Sequence, residues 1–63
     1  MKIEEFRQHV LHCANTGNLV KLPDSLDRVT CGNIMADIAG RFVDQGESIK
    51  AIMLLNERQR LGV

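Results

Sequence analysis

Four side chains suited to metal or nucleophilic chemistry fall at a spacing worth testing: His9, His12, Cys13 and Cys31. Together they are the right types for a zinc site, with Cys31 approaching from elsewhere in the chain. Structural zinc sites, however, present their ligands as C-x2-4-C and H-x3-5-H pairs. On a helix His12 stands about 100° of rotation from Cys13, so the two do not face one point. The expectation is exposed histidines beside a buried thiol, with no metal and no cofactor. For nucleophilic catalysis Cys13 and His9, four apart on a helix, could touch. Cys13 nevertheless lies on an apolar stripe, where burial raises a thiol's pKa and keeps it inert.

Nothing else in the chain assembles a reactive centre. The five glycines, at 17, 32, 40, 46 and 62, never cluster as a phosphate loop requires. The acidic residues are scattered singly on polar faces, and a short helical chain has little room for a pocket that excludes water. There is no Trp or Tyr, and both Phe are assigned to the core, so stacking platforms for single-stranded nucleic acid are absent. These readings give a non-enzyme.

The elements that hold these residues are helical. Ile3, Phe6, Val10, Cys13 and Ala14 recur at helical spacing, which predicts a helix over 3–14 ended by Asn15 to Asn18. Leu19 to Leu22, closed by Pro23, is too short for a helix and is expected as an extended connector whose apolar side chains cover one end of the core. Asp24 or Ser25 then caps a short helix over about 25–31. Leu26 and Val29 would stand nearly opposite Ile34, Ile38 and Phe42 on one continuous helix, so a break is placed at Gly32. A helix over 33–45 carries Ile34, Met35, Ile38, Ala39 and Phe42 on one face. Ala36 and Gly40 edge that face, the glycine costing about 1 kcal/mol of helix propensity relative to Ala. Gly46 ends it, and a last helix covers 48–60.

That last helix holds five apolar residues in a row, Ala51 to Leu55. Ile49, Ile52, Met53 and Leu55 are assigned to the core, with Phe6 and Phe42 as its aromatic anchors. Leu54 and Leu61, seven apart with Arg58 between them, then form a second apolar stripe that is left for a partner. The alternative is that Leu54 and Leu61 pack beneath the 19–22 connector inside the monomer.

Residues 1–63 thus form a single all-α domain, a small bundle of three main helices. That is near the lower size limit for unaided folding, so a staple is expected. Two cysteines and the lack of a secretory leader pattern point to a reducing cytoplasm and free thiols rather than a disulfide. Eight Lys plus Arg balance eight Asp plus Glu, leaving no net field to attract nucleic acid or an anionic membrane. No apolar run approaches the roughly 20 residues of a membrane span.

"NLVKLPDSLDRV", Asn18 to Val29, resembles the strand, proline and first-helix start of ribbon-helix-helix DNA-binding proteins. That resemblance implies a dimeric transcriptional regulator with Leu19 and Lys21 facing outward toward bases. The chain departs from the pattern in three ways. Leu19 is a poor base reader, the helical stretch from Asp24 to Gln45 is long, and the net charge is zero. A helix-turn-helix reading through Ala36 and Gly40 would put Gly46 in the body of the recognition helix. The leading expectation is therefore a small regulator, adaptor or inhibitor, of the kind also carried by phages and mobile elements. It would bind itself as a homodimer, or another protein, through Leu54, Arg58 and Leu61.

Overall fold

Phe6, Val10, Cys13 and Ala14 are turned to one side by a helix, and all four are buried. In the computed structural model, which describes residues 2–63, that helix is α1, Ile3–Thr16. Two more follow, α2, Arg28–Asp44, and α3, Ser48–Leu61, and the described residues contain no strand. The protein is an all-α three-helix bundle. Glu4 and Glu5 favour the positive end of the α1 dipole. The helix runs two residues beyond the expected end, and in its last turn the Thr16 hydroxyl donates back to the His12 carbonyl at 2.7 Å. Gly17, at φ 76°, then terminates it, its N–H donating to Cys13 O at 2.8 Å.

The second helix corrects the sequence reading. There is no separate helix at 25–31 and no break at Gly32, since α2 is continuous from Arg28 to Asp44. Its cap is Asp27, whose carboxylate accepts from the Thr30 N–H at 3.0 Å and the Thr30 hydroxyl at 2.6 Å. The angular conflict that suggested a break disappears because Leu26 precedes the helix and Val29 is 70% exposed, so neither has to share the α2 core face. Gly32 serves a different purpose. A Cβ there would lie 2.8 Å from the backbone carbon and oxygen of Val63, so the residue permits a close approach of the segment after α3. Arg58 Nε donates to the Gly32 carbonyl at 3.1 Å across the same contact.

Gly46, at φ 78°, turns the chain between α2 and α3 as expected. Phe6, Met35 and Leu54 are the largest fully buried side chains, joined by Val10, Val20, Cys13 and Cys31, with Phe42 nearly buried beside them. On α3 the core side is Ala51 and Leu54, each 1% exposed. Ile49, Ile52 and Leu55, expected inside, are 77%, 56% and 47% exposed, and Met53 is half-buried. The physical reason is packing distance: the small side chain of Ala51 lets α3 lie close against α2, which the bulkier Ile49–Ile52 stripe would not. No described residue leaves a buried side-chain nitrogen or oxygen unpaired.

Candidate functional site

The histidine and cysteine of α1 are brought together, and both are engaged in holding the connector. Cys13 Sγ lies 3.6 Å from His9 Nε2 and donates to the Leu19 carbonyl at 3.5 Å. His9 Nε2 accepts the Lys21 N–H at 3.1 Å. From α3, Glu57 Oε1 accepts the Val20 N–H at 2.9 Å, and Arg60 bonds both Glu57 and the Val20 carbonyl. Backbone groups of an isolated extended segment need partners, and these side chains supply them. Val20 is thereby fixed in the core while Leu19, 64% exposed, and Lys21 face outward. The connector lies at 19–22 as expected, but only Val20 and Leu22 contribute to the core.

This cluster is poorly suited to nucleophilic chemistry. Burial pushes the Cys13 thiol up, and the nearby Glu57 carboxylate pushes it further. Cys31 is raised by burial and by Asp27. Raised thiols favour the fold below the ordinary thiol pKa of about 8.5, and that contribution is lost as pH rises through the folded value. Both cysteines are free and buried. Iodoacetamide is expected to label neither in the native protein and both in denaturant, as read by intact mass; fast native labelling would contradict this burial. His12 is exposed, and among the described residues no three His, Cys, Asp or Glu side chains converge as metal ligands.

Glu57 is the carboxylate of the cluster, and folding lowers its pKa. Its hydrogen bond to Arg60 holds the carboxyl below the usual range, burial opposes this, and the Val20 N–H adds to the lowering. A carboxyl lowered on folding stabilises above its unfolded pKa of about 4.3, and that contribution is lost as pH falls through the folded value. Asp27, lowered chiefly by Thr30, and Asp37, lowered chiefly by Arg7, act with the same sign. Glu57→Gln keeps an oxygen for Val20 but cannot titrate. Thermal melts across about pH 3 to 6 are expected to show a shallower acid limb in this variant than in the wild type. An unchanged slope would mean that Glu57 does not set the acid sensitivity of the fold.

Of the residues expected at an interface, Leu54 is inside the monomer and Arg58 and Leu61 are half-buried against it. Leu54 is in the core, Leu61 is partly buried against it, and Arg58 is turned onto the Gly32 carbonyl. Leu54 therefore belongs to the monomer core and Leu61 borders it. What α3 leaves in solvent is Ile49, Ile52 and Leu55, which span about 120° of its outer arc. One flank of α3 is marked by Lys50, which reaches Asn15 of α1 at 2.9 Å, and by Glu57 on the connector. Ala51 and Arg58 mark the side toward α2. The exposed triad lies away from both. Its only signal in the sequence was the apolar run itself, which supplies side chains to every direction around the helix.

Among the described residues no helix is long and apolar enough to cross a membrane. Compared with protein-family models, curated proteins and solved structures, the chain matches none of them.

Proposed function

We propose that this chain is a non-enzymatic regulatory, adaptor or inhibitor protein that acts by protein–protein interaction through the outer face of α3. The observation that carries the reading is the exposure of Ile49, Ile52 and Leu55 on one arc of a helix whose opposite side already fills the core. Single exposed aliphatics are ordinary on any surface. Three on one arc over two turns form a contiguous stripe, the kind of surface that marks an interaction site. The free, buried thiols suit a reducing cytoplasm.

The competing reading, a DNA-binding dimer, needs the connector to pair as a strand with a second chain. Here the Val20 and Lys21 N–H groups and the Leu19 and Val20 carbonyls already have side-chain partners. An intermolecular ribbon would have to displace them.

The test uses wild type, Ile52→Glu and a Leu19→Ala/Lys21→Ala double variant as baits in an extract of the cells that produce the protein. Any captured protein is then purified and rebound. Binding that survives the connector substitutions and is lost in Ile52→Glu supports the proposal. Affinity for random duplex DNA that falls steeply with salt and depends on Lys21 would overturn it in favour of the regulator.

A further inference from the structure

We infer that the occupant of this surface is a second copy of the chain, docked across a face that α2 and α3 build together. The inference rests on the α3 outer face being an interaction surface, as proposed for its function. On α2, Val29, Ala36 and Val43 recur every seven residues, with Gly40 beside them, and this stripe lies on the outer side of the helix next to α3. Val29 is 70% and Val43 54% exposed, and Gly40 is exposed. Ile52 and Leu55 continue the surface on α3.

Charge selects the kind of partner. The positions between these residues, Asn33, Ser48 and Gln59, are uncharged. Asp37 and Arg41 are turned toward α1, where Asp37 pairs with Arg7 at 2.9 Å. Lys50 and Glu57 lie on the α1 and connector side, and Arg28 and Arg58 are folded onto the carbonyls of Leu61 and Gly32. Asp44 stands at the rim. A two-fold contact brings the same patch of each copy together, so any charge near the axis would meet its like. A face cleared of charge, in a chain that is 25% charged, meets that condition and offers nothing to a charged partner.

Gly40 is the second, independent observation. Glycine weakens a helix interior, and a Cβ at this position would meet nothing within 4 Å, so packing within the monomer gives no reason for it. Bare backbone there, beside Ala36, lets a partner helix come close. The area requires both helices and makes the contact a weak, concentration-dependent one. Two helices of 17 and 14 residues, about 9 Å apart, present a face about 20 Å in each direction. That is about 400 Å² in projection, about half of the roughly 800 Å² that a standard interface takes from each partner, the size of a contact that forms at high concentration. The α3 stripe alone is about half as wide and is too small for even a weak dimer.

Sedimentation velocity from micromolar to millimolar protein tests this with wild type, Ile52→Glu and Gly40→Arg. Wild type is expected to reach twice the chain mass. Each variant is expected to weaken self-association at least about a hundredfold, because a substitution enters a two-fold contact twice. Both should keep the helical circular-dichroism spectrum, and Gly40→Arg, with open space at its Cβ and better helix propensity, should melt no lower than the wild-type monomer. A wild type that stays monomeric at every concentration overturns the inference; if extract capture still depends on Ile52, the proposed function stands without it, and if capture is also absent both fail. Loss of the dimer in Ile52→Glu but not in Gly40→Arg overturns the two-helix face.

Discussion

Phe6→Ala is expected to leave the chain largely unfolded at room temperature. Phe6 is 0% exposed and stands with Met35 and Leu54 among the largest fully buried side chains, so its removal opens a cavity that a three-helix bundle cannot close without moving a helix. Such a truncation costs about 3 to 5 kcal/mol. A lone core of this size supplies about the same amount. Phe42 is also buried, at 5% exposure, but its ring lies beneath the Lys50 ammonium, 5.6 Å from the centroid, so it borders the surface. Phe42→Ala is therefore expected to be the milder of the two. Circular-dichroism melts of both variants decide this, and a cooperative Phe6→Ala transition near the wild-type midpoint would mean that Phe6 does not anchor α1.

Leu54→Glu is expected to be at least as damaging. The side chain is 1% exposed, and the neighbouring core residues are apolar, with no buried polar or charged residue among the described residues. A carboxylate placed there loses its hydration without gaining a partner, a larger penalty than a cavity alone. The expected result is loss of the helical spectrum in native buffer. A soluble, fully helical Leu54→Glu protein would show that Leu54 faces solvent and that α3 packs on its opposite side.

The orientation of α3 marks the limit of what was legible in the sequence. The α1 stripe of Ile3, Phe6, Val10, Cys13 and Ala14 was legible because polar residues fill most other directions around that helix; the structure buries the last four and leaves Ile3, at the helix start, 49% exposed. The α2 core face was legible because Ile34, Met35, Ile38, Ala39 and Phe42 share one side of the helix, and the structure buries all five. The α2 start was not, because a capping residue is recognised by what its side chain bonds, and Asp27, Asp24 and Ser25 are equally suited by type; only the Thr30 contacts distinguish Asp27. On α3, periodicity carried little information, since Ala51 to Leu55 place an aliphatic side chain on every side. Size and hydrophobicity favour the Ile49–Ile52 face, whereas the structure uses the smaller Ala51 and a half-buried Arg58 that satisfies the Gly32 carbonyl. A buried stripe containing an alanine and an arginine resembles a surface stripe in sequence. Sequence pattern accordingly offers Leu54 and Leu61 to a partner, whereas Leu54 is core and Leu61 packs against it.

Both the fold and the proposed surface turn on which side of α3 faces the core. Urea denaturation of Leu54→Ala and Ile52→Ala, side by side at the lowest protein concentration the signal allows, measures this directly. Leu54→Ala is expected to lose about 2 to 5 kcal/mol of stability, and Ile52→Ala about 0.5 kcal/mol or less, the range for a surface position. The reverse order, with Ile52→Ala the more damaging, would place the Ile49–Ile52–Leu55 face in the core and remove the surface on which the proposed function stands.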